Sequence, residues 1–324
     1  IDKEIKNQND RTWCFWEEPN GEFDSILSKT WEKAFIGNQD FQQSFEMNPY
    51  LYKMIRSSDF YKLVFDTIST KSNFTFINDE ILSWKTIGNS VEITGKNQTY
   101  FGSFLLNSFF DVNPILNQTN YPYLKQHFIG WFIKTKEAIF DDSEVKFMDF
   151  TIEQSGNTRF MYVLPTSKTE ALFEYTLFSE DLLEKSEYEK AIQNYLENLG
   201  ITDYEIVEKE SGNIPMTCFP FHKQNSERIM FIGTAGGWTK ASTGFTFFNS
   251  KKQSEKLVQF LKNNQNLSKF HQKNRYWLYD LILLEVLHQN NELGAQLFGT
   301  LFQKNSIQNI FKFLNEEGTI FSDL

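Results

Sequence analysis

The sequence has few of the residues that build metal centres, disulfide frameworks and nucleic-acid surfaces. Its 324 residues include two cysteines and four histidines. Cys14 and Cys218 are far apart in the sequence, which excludes a disulfide framework and indicates a reducing compartment. The histidines lack the spacing of metal ligands, so no metal is expected. Because 42 acidic residues outnumber 32 basic ones, the net charge is −10, which argues against nucleic acid as a partner.

Long apolar runs are also lacking. A helix that spans a membrane needs about 20 apolar residues. The nearest candidate, 276–284, is shorter and is interrupted by Asp280. The motifs of serine hydrolases, P-loop kinases and dithiol redox proteins are missing as well. We therefore expect a cytoplasmic protein that is soluble or bound peripherally to a membrane.

What the sequence does contain is an alternation of strand-like and helix-like apolar patterns. Helices are predicted at 50–69, 181–199, 246–263 and through most of 268–318. Strands are predicted at 31–36, 41–47, 74–77, 82–86, 91–94, 104–108, 126–133, 145–151, 159–164, 170–178 and 228–232.

This order predicts an α/β fold in which a strand-rich block interrupts a cofactor-binding domain. The cofactor domain is predicted to comprise 1–22, 49–114 and 212–262. The inserted β-sheet substrate domain comprises 23–48 and 115–211, and 263–324 form a C-terminal helical region.

A glycine-rich turn follows the predicted strand at 228–232 and precedes a helix. It consists of Gly233, Thr234, Ala235, Gly236 and Gly237. Glycines let the backbone approach a ligand closely, and the start of a helix favours an anionic phosphate. A tight turn without a ligand explains the same pattern about as well. The polar and glycine residues that follow the turn are Thr239, Ser242, Thr243 and Gly244, and they could extend a ligand-binding surface.

Glu174 is a carboxyl group within an apolar and aromatic strand. Alternation places Leu172, Glu174 and Thr176 on one face, and Phe173 and Tyr175 on the other. A carboxyl group facing an apolar pocket has a raised pKa and can act as a general acid. Without further context, a solvent-exposed carboxylate is the commoner explanation of such a residue.

Asp149, between Met148 and Phe150, is a second acid flanked by apolar residues. It could transfer a proton or tune the first acid. A structural role is favoured for it over catalysis.

Together, these segments resemble bacterial lycopene β-cyclases over essentially the whole chain. Arg11, Thr12, Trp13, Phe15 and Trp16 follow that family's Arg-Thr-Trp-x-Phe-Trp pattern. Further similar segments are 126–131, 148–150, 159–165, 171–176, 214–216, 232–240, 243–245 and 275–280.

The resemblance implies a flavoprotein fold, with a Rossmann-like domain that binds FAD and an inserted substrate sheet. It implies that lycopene's linear ends are cyclised to β-ionone rings without net redox change, with reduced FAD required. Glu174 matches the family's proposed proton donor, and Asp149 is the second candidate. The aromatic residues expected to stabilise a carbocation are Trp131, Phe150, Tyr162, Tyr175 and Trp238.

The resemblance also suggests the residues that hold FAD. Asp2 matches the acidic residue that binds the adenosine ribose, and Lys3 and Arg11 lie nearby in the sequence. The others are Gly233, Thr234, Ala235, Gly236, Gly237, Thr243 and Gly244. Thr234 departs from the Asp that many related flavoproteins carry. Because the chain opens at what resembles a strand end, we expect a fragment that lacks an upstream βα unit of about 30 residues.

Two other functions remain open. A flavin-dependent monooxygenase or oxidoreductase of the same superfamily would share the fold, but it would not need a buried acid. A carotenoid or lipid carrier would keep the apolar pocket without chemistry. The expected partners of the cyclase are its lycopene or carotenoid substrate and a membrane surface. The surface would be contacted by the aromatic edge of the substrate domain or by the C-terminal helices.

Overall fold

The computed structural model describes residues 1–270 and 274–320. The strands are β1 (Thr12–Glu17), β2 (Leu27–Trp31), β3 (Lys33–Gly37), β4 (Gln42–Glu46), β5 (Leu51–Arg56), β6 (Ile81–Ile87), β7 (Ser90–Gly95), β8 (Thr99–Gly102), β9 (Leu105–Asn107), β10 (Leu124–Thr135), β11 (Glu144–Asp149), β12 (Thr158–Pro165), β13 (Glu170–Ser179), β14 (Tyr204–Met216) and β15 (Ile229–Phe231). The α-helices are α1 (Ser57–Ser69), α2 (Asn113–Leu116), α3 (Lys185–Asn198), α4 (Phe247–Leu261), α5 (Arg275–Gln289), α6 (Gly294–Lys304) and α7 (Ile307–Leu314).

The chain divides into two compact units, each built from separated segments. Unit 1 contains Ile1–Asp10, Arg56–Tyr121 and Thr217–Leu281. Unit 2 contains Arg11–Ile55, Pro122–Met216 and the chain from Ile282 onward. These limits differ from the predicted domains at several boundaries: 49–55 and 212–216 fall in unit 2, and 115–121 fall in unit 1. Residues 11–22 fall in unit 2, where β1 pairs with β5, and the C-terminal helices are split between the units.

Unit 1 combines a parallel strand pair with an antiparallel meander. β9 and β15 are parallel, and β6, β7 and β8 form the meander. Near the start of the chain, Asp2 forms a parallel bridge with Asn78. An apolar cluster lies beneath β15 and α4, and it contains Met230, Trp238, Leu257, Leu267 and Phe270.

Unit 2 is organised around a seven-stranded sheet in the order β14-β10-β13-β12-β11-β3-β4, with a separate three-stranded sheet β1-β5-β2. Antiparallel pairing joins β14, β10, β13 and β12, while β11 and β3 are parallel. Helix α3 covers one face of the large sheet through Tyr188, Ile192, Tyr195 and Leu196. The sheet side of this cluster comprises Trp131, Ile133, Met161, Val163, Ala171, Phe173, Tyr175 and Leu177.

Helices α6 and α7 pack into unit 2 through aromatic side chains. The rings of Phe311 in α7 and Trp16 in β1 stack at 4.6 Å. The rings of Phe298 in α6 and Phe150 stack at 5.8 Å. Because Phe311 and Phe150 are both almost fully buried, these helices form part of the core of unit 2.

Two of the predicted elements were wrong. The helix predicted at 50–69 begins only at Ser57, because residues 51–56 form β5 and pair with β1 and β2. Apolar residues at 51, 54 and 55 fit either period, and strand pairing decided between them. The strand predicted at 74–77 is irregular chain, in which Phe74 and Phe76 are exposed.

Candidate functional site

Glu174 lies in a row of residues that crosses four strands of the large sheet. On β13 it pairs with Tyr162 of β12 on one side and with Gly130 of β10 on the other. Gly130 in turn pairs with Glu210 of β14. Directly paired residues point to the same face of a sheet, so Glu174, Tyr162 and Glu210 share one face.

The Glu174 carboxyl group is buried, with 7% of the residue exposed. The Thr176 hydroxyl donates a hydrogen bond of 2.6 Å to its Oε1 atom. Burial, together with the charge of Glu210, raises the pKa of Glu174 to about 8, and the Thr176 bond opposes the shift. A neutral Glu174 that accepts this bond at Oε1 carries its proton on Oε2. The expected general acid is therefore present in its protonated form near neutral pH.

Hydroxyl and thiol groups of β1, β5 and β12 surround this acid. The hydroxyl oxygens of Tyr52 and Tyr162 lie 2.6 Å apart. Burial raises the pKa of the Cys14 thiol to about 12, with contributions from Glu210 and Glu174. Burial likewise raises the pKa values of Tyr52 and Tyr162 well above their usual range. These three groups are therefore neutral at physiological pH.

Sequence reasoning missed Glu210, Tyr52 and the part played by Gly130. The Thr12 hydroxyl donates a 2.7 Å hydrogen bond to Glu210 Oε2, linking β1 to β14. The sequence analysis predicted no strand at 204–216, and the pairing of β14 with β10 is what places Glu208, Glu210 and Gly212 on one face. Tyr52 was missed because a helix was predicted at 50–69, so the pairing of its strand with β1 and β2 was not foreseen.

The five predicted substrate-binding aromatics do not gather around Glu174. Tyr162 is its direct neighbour on β12. Trp131 and Tyr175 point to the opposite face and pack in the cluster beneath α3. Phe150 packs between Phe160 and Phe298. Trp238 belongs to the apolar cluster of unit 1.

Asp149 is held by hydrogen bonds to both carboxylate oxygens. Tyr195 of α3 donates to Oδ2 at 2.5 Å, and the Thr151 hydroxyl and amide donate to Oδ1 at 2.6 and 3.0 Å. Lys146 lies 3.7 Å from Oδ2. Asp149 thus anchors α3 to the end of β11, in line with the structural role favoured from the sequence.

In unit 1, residues 233–236 form one turn of 3₁₀ helix after β15, and Gly237 ends it in the left-handed conformation with φ 71°. Gly233 also has a positive φ, 59°, and nothing lies within 4 Å of the place where its side chain would be. The amides of Gly236, Gly237 and Trp238 bond to carbonyls of the turn. The first amides of a helical turn have no partner inside it, so those of Gly233, Thr234 and Ala235 are the ones available to an anion.

Two buried hydroxyl groups follow this turn in the sequence, and they could form hydrogen bonds with a polar ligand bound there. Within 1–270 and 274–320, Ser242 Oγ and Thr243 Oγ1 are buried without a hydrogen-bond partner. Such groups are uncommon in proteins, because leaving one unsatisfied costs about 1–3 kcal/mol. Gly244, with φ 73°, ends this segment. The hydroxyl oxygens of Thr234, Thr239 and Thr246 form a chain beside it at 3.1 and 2.9 Å.

A buried ion pair holds the chain between Gly237 and Gly244 in place. Its Lys240 Nζ atom contacts both carboxylate oxygens of Asp280 at 2.9 Å. Of the other predicted FAD residues, Asp2 and Lys3 lie in unit 1, whereas Arg11 lies in unit 2. The Asp2 carboxylate accepts the Glu4 amide at 2.9 Å, and Lys3 is exposed.

Each helix in the described parts of the chain is too short or too polar to cross a membrane.

Solved structures share this fold at low sequence identity. HpxO of Klebsiella pneumoniae, complexed with FAD and uric acid, matches with a TM-score of 0.60 and 12% identity, over 99% of this chain and 89% of that chain. A geranylgeranyl bacteriochlorophyll reductase-like protein of Thermoplasma acidophilum matches with a TM-score of 0.59 and 11% identity, over 92% and 79%. A flavoprotein/dehydrogenase of Cytophaga hutchinsonii matches with a TM-score of 0.55 and 12% identity, over 88% and 76%.

The fold is therefore the Rossmann-like α/β fold of flavoproteins with an inserted β-sheet, which confirms the predicted fold class. The chain belongs to the lycopene cyclase protein family, whose model matches residues 2–321. This match confirms the resemblance inferred from the sequence motifs. The comparison with curated proteins found no match.

Proposed function

We propose that this protein is a lycopene β-cyclase, which closes the linear ends of lycopene into β-ionone rings and forms β-carotene by way of γ-carotene. The observation that carries this proposal is Glu174, an acid of the large sheet that burial keeps protonated near neutral pH. Membership of the lycopene cyclase family supports it independently.

Glu174 is the proposed proton donor in this reaction. Protonation of the terminal alkene of lycopene gives a tertiary carbocation, which the neighbouring alkene attacks to close the ring. Loss of a ring proton then leaves the β-ionone double bond, so mass and oxidation state do not change. Since Thr176 binds Oε1, the proton would be delivered from Oε2 of Glu174.

The surroundings of Glu174 fit a cationic intermediate. The buried ring of Tyr52 and the half-buried ring of Tyr162 lie beside the acid, and their hydroxyl groups bond to each other. Aromatic faces stabilise nearby cations by about 0.5–2 kcal/mol each. A neutral Cys14 thiol avoids capture of the cation by a thiolate.

We propose reduced FAD as the cofactor, held in unit 1. The open Gly233 position and the first amides of the turn suit a phosphate, and the buried hydroxyls of Ser242 and Thr243 would gain partners. Asp2 suits the ribose hydroxyls. Bound FAD would supply negative charge or proton handling without consuming an electron donor.

The test uses anaerobic protein, chemically reduced FAD and lycopene in liposomes. We expect a ring-closed product of unchanged mass, identified by absorbance and mass spectrometry. Glu174→Gln should lower the rate at least about 100-fold, as loss of a general acid does, while flavin binding persists. Glu170→Gln, on the same strand but 41% exposed beside Lys134, should remain active.

Other outcomes separate the alternatives. Lycopene left unchanged by protein with full flavin occupancy would contradict the cyclase, and NADPH oxidation coupled to oxygenated product would establish a monooxygenase. Carotenoid binding by protein that binds no flavin would establish a carrier.

A further inference from the structure

Gly130 of β10 lies between Glu174 and Glu210, and the side chains of the two acids flank it on one face of the sheet. Their Cα atoms are two strand spacings apart, about 10 Å, with Gly130 between them. A Cβ atom at position 130 would lie 2.8 Å from Leu172 Cδ1, 3.2 Å from Glu210 Cγ and 3.5 Å from Glu174 Cβ. The missing side chain therefore leaves room for Leu172 and lets the side chains of the two acids approach each other over β10.

The two acids have different surroundings. Glu174 is buried, with its carboxyl group bonded to Thr176, whereas Glu210 is partly exposed at the outer strand β14 and accepts the Thr12 hydroxyl. Water and a donated hydrogen bond favour the charged form of Glu210, and burial favours the neutral form of Glu174. Pairs of acids in such unequal surroundings divide into one that ionises and one that keeps its proton.

The other titratable groups facing Glu174 do not provide this charge. Cys14 on β1, Tyr52 on β5 and Tyr162 on β12 are neutral near pH 7 because burial raises their pKa values. Glu208 and Glu170 share this face, but Glu208 lies two residues further along β14, opposite Phe132, and Glu170 is paired with Lys134. On this face, Glu210 is the acidic neighbour whose charge reaches Glu174.

We propose that Glu210 is a positioning residue for the acid: held across Gly130 as a carboxylate, it keeps Glu174 protonated and ready to donate. This role rests on the proposed function of Glu174 and adds the residue that maintains it. Glu210 itself donates no proton to the substrate.

The experiment follows the infrared band of protonated carboxyl groups against pH in the full chain, without substrate. We expect a band that Glu174→Gln removes. Glu210→Gln should move its midpoint downward by about one pH unit, and the alkaline limit of cyclisation should move with it while the rate at low pH is retained. Glu205→Gln, at an exposed position of β14, should leave the midpoint unchanged.

A folded Glu210→Gln protein with an unchanged midpoint would overturn the proposal. If that variant does not fold, Glu210→Met replaces it, since methionine has a side chain of similar length without the charge. Its midpoint should move in the same direction by a similar amount, and no movement would overturn the proposal. A shifted midpoint in protein without cyclase activity would instead contradict the proposed function and leave the carboxyl pair intact.

Discussion

His127 is bound through both ring nitrogens in the interior of unit 2. Ser179 Oγ donates to the Asp181 carbonyl at 2.6 Å, so it accepts from His127 Nε2, also at 2.6 Å. Tyr188 Oη accepts the Leu183 amide and donates to Nδ1 at 2.5 Å. These directions fix a neutral imidazole with its proton on Nε2. Burial lowers the pKa of His127 to about 4, and the nearby charge of Lys125 contributes.

We expect His127 to make the protein less stable as the pH falls. An unfolded histidine binds a proton near pH 6.5 and the folded one near pH 4, so between these values the unfolded state binds more protons. The free energy of unfolding should therefore decrease from about pH 6.5 to about pH 4, by about 3 kcal/mol in all. Urea unfolding at several pH values measures this slope.

Two variants isolate the contribution of His127 to this slope. His127→Gln should flatten it, because no titrating ring remains. Ser179→Ala should lower stability at every pH but keep the slope, since the imidazole stays buried. Identical slopes for wild type and His127→Gln would show that other groups cause the pH dependence.

At the level of secondary-structure elements, the turn after β15 requires glycine at position 237 for two separate reasons. Gly237 has a positive φ of 71°, and a Cβ atom there would lie 2.8 Å from Cδ2 of the buried Phe221. Gly88, in the turn between β6 and β7, has a φ of 53° with nothing within 4 Å. The second position therefore isolates backbone strain from steric conflict.

We expect Gly237→Ala to destabilise unit 1 more than Gly88→Ala does. Strain in the left-handed conformation costs about 1–2 kcal/mol at either position. At Gly237, displacement of Phe221 should add about 1–3 kcal/mol. Chemical denaturation of both variants measures the difference. Equal losses would mean that Phe221 moves aside without cost.

At the level of the whole molecule, the division of the chain assigns the proposed roles to different units. The FAD residues of the glycine turn, with Asp2, lie in unit 1, and Glu174 with Tyr52 and Tyr162 lies in unit 2. Both units are assembled from separated segments, so each proposed site depends on parts of the chain that are distant in sequence.

We propose that the protein docks peripherally on the membrane, where a C40 hydrocarbon substrate resides. Because the net charge is −10, attraction to anionic lipid is disfavoured, and binding should depend on apolar contacts. We therefore expect the protein to float with neutral liposomes at low and at high salt. Binding that disappears at high salt would point to electrostatic contacts, and no flotation at any salt would contradict docking.

The sequence by itself determined the features that depend on local periodicity and on local chemistry. Alternation along 170–178 placed Glu174 and Tyr175 on opposite faces of one strand, as the structure has them. The family motifs indicated the fold class, and the glycines marked the turn at 233–237. Each of these depends on neighbours within a few residues, which the sequence displays directly.

Only the tertiary structure decided which acid accompanies Glu174. Asp149 was the second acid suggested by the sequence, but its partner is Tyr195 on the α3 side, whereas Glu210 comes beside Glu174 through the strand order β14-β10-β13. Pairing with β1 and β2 likewise made 51–56 a strand and brought Tyr52 to Tyr162. Strand order and register arise from contacts between distant segments, which no local pattern encodes, and burial then set the protonation of Glu174.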